Sequence, residues 1–334
     1  MAKIKPSQGA PYARIMGVGG YRPTRVVPNE VILETIDSSD EWIRSRSGIV
    51  TRHWASEEET VAVMSVEAAG KALADAGITA EQVDGVVVST VSHFKQTPAV
   101  ATEIADKIGA NKPAAFDISA GCAGFGYGLT LAKGMVVEGS ARYVLVIGVE
   151  RLSDLTDLED RATAFLFGDG AGAVVVGPAE EPAIGPTVWG SEGDKSETIK
   201  QTVPWSDYRN AGEVAKFPAI TQEGQAVFRW AVFEMAKVAQ QALDAAGITA
   251  EDLDVFIPHQ ANMRIIDSMV KTLKLPEHVT VARDIETTGN TSAASIPLAM
   301  ERLLATGQAK SGDTALVIGF GAGLVYAATV VTLP

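Results

Sequence analysis

Cysteine is almost absent. The 334-residue chain has one, Cys122, which excludes an intrachain disulfide, a CxxC redox pair and any zinc site built on several thiolates. Histidine is scarce as well: His53, His93, His259 and His278 are the four, and no HExxH occurs, so no metal is expected. No apolar run approaches the ~18 residues of a membrane span, and Met1–Ala10 (MAKIKPSQGA) lacks the apolar centre of a secretory signal. The expectation is a cytoplasmic protein without a membrane partner, its residues 1–12 forming a flexible N-terminal tail. Positive charge is in the minority, 28 Lys and Arg against 41 Asp and Glu, and the net charge of −13 repels phosphate and so speaks against nucleic acid. An acidic protein partner would need a local basic patch.

Apolar residues are plentiful at 46%, enough for a large core, and at ~150 residues per domain the length suggests about two domains. The chain also repeats itself. ADAGITAEQVD at 74–84 returns as DAAGITAEDLD at 244–254, an offset of 170, and LVIG at 145–148 returns at 316–319, an offset of 171. Two matches at one spacing near half the chain length indicate a duplicated unit. Each half reads as alternating strands and helices: helices are expected over 60–76, 98–109 and 122–138, then over 223–246, 261–274 and 291–306. Gly77 and Gly247 stand where helices end, and apolar runs such as VVVST and ALVIG suit strands buried on both faces. The fold class is therefore α/β, with one half over 13–180 and the other over 181–334 and the site between them, past the strand ends. Segments 22–59 and 192–222 lack periodicity and read as inserted binding loops.

Cys122 lies in SAGCAGFGYG, between the apolar strand PAAFDIS and a helix. A helix N-terminus there lowers a thiol pKa and favours a nucleophile; the alternative is a buried, inert cysteine. His259 follows the strand LDVFIP, and Asn290 lies in TTGNTSAAS, two residues before position 292, the repeat counterpart of Cys122. The duplication would bring the three to one interface. GVGG at 17–20, GDGAG at 168–172 and GFGAG at 319–323 are not dinucleotide fingerprints, because GDGAG and GFGAG lead into strands. They read instead as turns where a ligand or a catalytic loop comes close.

SAGCAGF, IPHQANMRII, GNTSAAS, GDGAGA and SSDEWIRSRSGI at 38–49 resemble the β-ketoacyl-acyl-carrier-protein synthase III family of the thiolase superfamily, and the resemblance runs in order along the chain from about Ile15 to Val331. The resemblance implies a duplicated, five-layered α-β-α-β-α fold, a homodimer, and condensation of an acyl-coenzyme A primer with malonyl-acyl-carrier protein, without a cofactor beyond the coenzyme A substrate. It implies an acyl-accepting Cys122, with His259 and Asn290 promoting decarboxylation. The backbone amides of Cys122 and Ala322 form the implied oxyanion hole, although some members have glycine at 322. Ser38, Trp42, Arg46, Arg161, Gly224, Phe228, Asn262 and Arg264 match positions that hold coenzyme A. Thr97 matches an acyl-pocket position where some members carry Phe, which hints at a roomier pocket. Arg229, Arg264, Lys271 and Lys274 form the expected carrier-protein patch, the last three sharing a helix face by their spacing. The rival readings are another condensing enzyme or acyltransferase of the same fold, as in polyketide metabolism. A biosynthetic thiolase would generally need a second catalytic cysteine.

Overall fold

The structure is a computed structural model, and it describes residues 3–212 and 216–334. Met1 and Ala2, which begin the expected tail, lie outside the described residues. The tail's far end is anchored, since Ala10 N–H donates to Val136 C=O at 3.2 Å.

Ten strands build two five-stranded sheets. The first contains β1 (Tyr12–Tyr21), β2 (Gly85–Ser89), β3 (Ala114–Ile118), β4 (Val144–Arg151) and β5 (Asp169–Ala179), in the order β1-β5-β4-β2-β3. The second contains β6 (Val188–Ser191), β7 (Val255–Pro258), β8 (Thr280–Val281), β9 (Thr314–Gly321) and β10 (Val325–Thr332), in the equivalent order β6-β10-β9-β7-β8. In both, the three strands at one side run parallel and the remaining pairings are antiparallel.

The helices that build the layers and the site are α1 (Asp40–Ser47), α2 (Val61–Ala76), α3 (Val100–Lys107), α4 (Gly124–Glu138), α5 (Gly224–Trp230), α6 (Ala236–Ala246), α7 (Met263–Leu273) and α8 (Ser295–Ala305). Alternation along the strands assigns them to layers. Val86 and Val88 of β2 face a core with α2 and α3, while Val87 faces a central core with α4 and α8. In β7, Phe256 faces α6 and α7, and Val255 and Ile257 join the central core. The result is five layers, α2 and α3, a sheet, α4 and α8, a sheet, then α6 and α7. Both faces of each sheet are covered, which is why β2 and β7 are buried at every residue and apolar except at Ser89.

Local signals fix the helix ends. Thr60 caps α2 by accepting Val63 N–H at 3.2 Å, and Gly77 and Gly247 terminate α2 and α6 at φ 67° and 74°. The expected helix over 223–246 is present, but a π-helical turn at Ala231–Met235 separates α5 from α6. Two readings need correction. GVGG and GDGAG are not turns: the second runs into β5 from Asp169, and the first lies within β1, where a Cβ on Gly17 would stand 2.3 Å from Ala76 N and one on Gly19 2.2 Å from Ala68 O, so its glycines admit α2 against the strand. The two insertions are not plain loops either. Residues 22–59 hold the paired strands Arg25–Pro28 and Thr51–Trp54 together with α1, and 192–222 hold the pair Ile199–Gln201 and Ile220–Gln222. The apolar residues of the first had no visible period because they fill a separate small core, where Ile32, Ile43 and Trp54 meet Phe165 and Ile266.

Candidate active site

A cavity of about 810 Å³ opens where the two sheets' strand ends meet, and Cys122, His259 and Asn290 all line it. Cys122 sits in the 3-10 turn Gly121–Ala123 that leads directly into α4. The equivalent turn in the other half, Ser292–Ala294, leads into α8. Gly321, at the end of β9, lets the thiol in: a Cβ there would be 2.9 Å from Cys122 Sγ. Of the three glycine clusters, GFGAG is the one that lies against the cysteine loop, and Ala322 lines the cavity beside it.

The site does not lower the thiol pKa in the way the helix N-terminus suggested. Burial pushes the Cys122 thiol up to about 12. Loss of hydration outweighs the helix end here, so the resting residue is a neutral thiol.

His259 follows β7 and is 1% exposed. Burial drives its imidazole down to about 3, so it is neutral. Its Nδ1 lies 2.7 Å from Ser295 Oγ, the first residue of α8, and the same oxygen accepts Gln260 N–H at 3.3 Å. When the serine hydroxyl donates to Nδ1, the imidazole carries its own proton on Nε2. Phe320 packs edge-on against the ring at 5.4 Å.

Asn290 is held by backbone on both sides, its N–H donating to Leu166 C=O at 2.8 Å and its C=O accepting Gly168 N–H at 3.0 Å. Its Oδ1 accepts Ser292 N–H at 2.8 Å, which identifies the amide oxygen and leaves the Nδ2 protons for the cavity. The floor thus presents a thiol and two neutral donors, an arrangement suited to a transient enolate or thioester oxyanion.

Cations and aromatics line the mouth. Arg161 lies over Trp42 at 4.9 Å and Arg46 at 6.0 Å, and Arg264 lies over Phe228 at 4.8 Å. Trp42 rests edge-on against Phe165 at 5.4 Å. Ser39 caps α1 by accepting Trp42 N–H at 3.1 Å; Ser38, expected to hold coenzyme A, lies outside the cavity wall with its hydroxyl buried and unpartnered. Asn262 caps α7 and its Nδ2 donates to Arg46 C=O at 2.9 Å, tying the inserted α1 to the second half. Gly224, Asn262 and Arg229 also line the cavity.

Two expected placements fail within the single chain. Thr97 is exposed on the loop before α3 and does not line the cavity. Lys274 is not on the helix face of Arg264 and Lys271, because α7 ends at Leu273 and Lys274 is its left-handed cap at φ 52°. Arg229, Arg264 and Lys271 are exposed and, among the described residues, form no ion pair.

Ser292, which lines the cavity, and Ser295, which holds His259, were missed. The repeat already pointed to Ser292, which stands 170 residues from Cys122. Among the described residues no group of three or more His, Cys, Asp or Glu side chains could hold a metal ion, and no helix is long and apolar enough to cross a membrane.

Two family models match the chain: 3-oxoacyl-[acyl-carrier-protein] synthase III over residues 116–193 and its C-terminal counterpart over 243–333. The chain is 88% identical to the β-ketoacyl-[acyl-carrier-protein] synthase III of Streptomyces glaucescens, with 100% of each chain covered. It is 53% identical to the mycobacterial β-ketoacyl-[acyl-carrier-protein] synthase III of Mycobacterium marinum, over 100% of this chain and 99% of that one. Among solved structures, the priming β-ketosynthase of a polyketide biosynthetic pathway superposes with a TM-score of 0.95 at 46% identity, covering 100% of this chain and 98% of the other. The 3-oxoacyl-[acyl-carrier-protein] synthase III of Aquifex aeolicus gives 0.88 at 38% identity, over 96% and 99%. The chain belongs to the 3-oxoacyl-[acyl-carrier-protein] synthase III family, a group of acyl-transferring condensing enzymes with the thiolase fold.

Proposed function

We propose that the chain joins an acyl-coenzyme A primer to malonyl-acyl-carrier protein in a decarboxylating Claisen condensation, the first elongation step of type II fatty acid synthesis. The observation that carries this reading is the shared cavity floor, where one thiol faces two neutral hydrogen-bond donors.

In the first half-reaction Cys122 Sγ attacks the primer thioester and coenzyme A leaves as its thiol. The amides of Cys122 and Ala322 would receive the oxyanion. In the second, malonyl thioester loses carbon dioxide, and the enolate oxygen accepts from His259 Nε2–H and Asn290 Nδ2. Neutral donors suit this step, because their protons stay in place when the enolate collapses onto the acyl-cysteine carbonyl. Removal of one such donor costs about 3 kcal/mol of barrier. The β-ketoacyl product leaves on the carrier protein and the thiol is restored.

The mouth suits coenzyme A. A purine can stack among Trp42, Arg46 and Arg161, while Arg264 offers charge to a phosphate. No further cofactor enters the scheme, since coenzyme A is consumed as a thioester. Arg229, Arg264 and Lys271 supply the local positive patch that an acidic carrier protein needs on a chain of net charge −13. A cytoplasmic homodimer fits the free edge of β3, which is partly exposed and ends its sheet. In such a dimer Thr97 could meet an acyl group only if a second copy's cavity received it.

A second reading, priming of a polyketide synthase, is favoured by the 0.95 superposition on a priming β-ketosynthase. Both readings share the chemistry and differ in the carrier protein. The experiment is to load the enzyme with a panel of acyl-coenzyme A primers, add malonyl groups on fatty-acid or polyketide carrier proteins, and compare kcat/KM. A preference for the fatty-acid carrier supports the first reading; a preference for the other replaces it with the second.

A further inference from the structure

Two donors on the cavity floor must meet one enolate oxygen, yet they stand on separate segments: His259 directly after β7, and Asn290 shortly after the helical turn Ile285–Thr288. Next to His259 in the chain is Gln260, a polar side chain that is 0% exposed and that the condensation chemistry leaves unused. Every polar atom of its amide meets backbone. Nε2 donates to Pro258 C=O at 2.7 Å, at the end of β7, and to Ala282 C=O at 3.3 Å, just past β8; Oε1 accepts Ile285 N–H at 3.1 Å, the first residue of the helical turn. Because the partners of one side are carbonyls and the partner of the other is an N–H, the amide is fixed this way round. The Gln260 N–H donates to Ser295 Oγ at 3.3 Å, the same oxygen that meets His259 Nδ1 at 2.7 Å.

The turn that Gln260 caps runs straight to the second donor. Its far end is tied back on itself, as the Thr288 hydroxyl donates to Asp284 C=O at 2.7 Å. The Asp284 carboxylate, 4% exposed, is held in turn by Arg302 at 2.8 Å and Arg22 at 3.4 Å. From the inserted segment, Val50 N–H donates to Glu286 C=O at 2.8 Å and Thr51 Oγ1 to Thr287 C=O at 3.0 Å. Gly289 follows at φ 67°, and Asn290 comes next. A single turn fixed at both ends passes a displacement of Ile285 on to Asn290 instead of absorbing it.

We propose that Gln260 is a positioning residue for decarboxylation, its side-chain amide setting the separation of the His259 imidazole and the Asn290 amide so that both face one enolate oxygen. It touches no reacting atom. Loss of the amide leaves two carbonyls and an N–H buried without partners, and they regain partners by moving the end of β7 or the helical turn. Displacing either donor by about 1 Å is enough for a loss on the order of 100-fold, because oriented groups act only near their productive geometry. Acyl transfer is independent of this bracket: Cys122 precedes α4 and Ala322 follows β9, outside the segments that Gln260 joins.

This inference rests on the proposed condensation chemistry and deepens it. The experiment measures the two half-reactions separately on the full chain: single-turnover acylation by acetyl-coenzyme A, read by intact-protein mass spectrometry, and carbon dioxide release from malonyl-acyl-carrier protein by the acylated enzyme. Wild type, Gln260→Met and Gln260→Glu are compared, with folding checked by circular dichroism. Gln260→Met, similar in size but without the amide, should release carbon dioxide about 100-fold more slowly, with the acylation rate and the Michaelis constant for malonyl-carrier protein within about threefold of wild type. Gln260→Glu keeps an acceptor for Ile285 N–H and should lose only about tenfold, a partial rescue. A folded Gln260→Met that decarboxylates within about threefold of wild type, that raises the Michaelis constant instead, or that slows both half-reactions equally overturns the proposal. If Gln260→Met does not fold, Gln260→Glu decides by the same criteria. A wild type that is acylated on Cys122 yet releases no carbon dioxide from malonyl-carrier protein would instead overturn the condensation reading itself.

Discussion

His259 Nδ1 meets Ser295 Oγ at 2.7 Å, and this one contact decides which imidazole nitrogen faces the cavity. Ser295 touches no reacting atom; it positions one that does. Ser295→Ala frees Nδ1 to hold the proton and turns Nε2 into an acceptor, the wrong role toward an enolate oxygen. The expected result is a fall of about tenfold or more in decarboxylation, with Cys122 acylation unaffected and partial rescue by Ser295→Thr. Separate assays of the two half-reactions check it. A variant slowed equally in both would point to a merely structural role.

The imidazole also carries a pH prediction. Its value in the fold, about 3, lies below the ordinary 6.5, so it stays neutral across the working range. Decarboxylation by the acylated enzyme should show no loss centred near 6.5 when the pH falls from 8 toward 5. Stability moves the other way from that of a salt-bridged histidine. Because the unfolded state binds the proton more tightly, His259 contributes least at low pH, and stability drains away as pH falls below about 6.5. Denaturant midpoints of wild type and His259→Gln, compared across pH, should converge on acidification.

Trp42 is the aromatic surface at the mouth, with Arg161 and Arg46 over it. Trp42→Ala removes that surface and the guanidinium contacts, each worth about 0.5–1 kcal/mol at an exposed site. The Michaelis constant for acyl-coenzyme A should rise about tenfold, while the constant for malonyl-carrier protein and the rate of decarboxylation change little. Steady-state kinetics with each substrate varied in turn separates these effects.

Lys271 is exposed on α7 and does not line the cavity, which makes it a cleaner probe of docking than Arg264. Lys271→Glu should raise the Michaelis constant for malonyl-carrier protein and leave that for acyl-coenzyme A alone. The difference should shrink in about 0.5 M salt, as expected for an exposed electrostatic contact. An unchanged constant at low salt would remove Lys271 from the docking surface.

The layered fold was legible because its signals are local and occur twice. Gly77 and Gly247 end equivalent helices, and apolar strands such as Val86–Val88 are buried on both faces. The inserted segments were opaque for the opposite reason: Ile43 and Trp54 find their partners in Phe165 and Ile266, far along the chain. At the site, Cys122, His259 and Asn290 stood out by residue type and by position after strands. Ser292 and Ser295 resembled ordinary helix-start serines. Their places at the site come from the fold, which sets Ser295 on His259 and Ser292 in the cavity wall. The thiol's raised pKa was equally hidden, because it arises from the depth of the pocket and not from the helix start that the sequence displays.

The most direct test is the mass of the intact protein after exposure to acyl-coenzyme A and then to malonyl-acyl-carrier protein. One acyl increment on the Cys122 peptide is expected, absent from Cys122→Ala. Its loss on the second addition should be matched by one carbon dioxide and one β-ketoacyl-carrier protein. An increment on another residue, none at all, or one that persists after malonyl-carrier protein is added would contradict Cys122 as the condensing nucleophile.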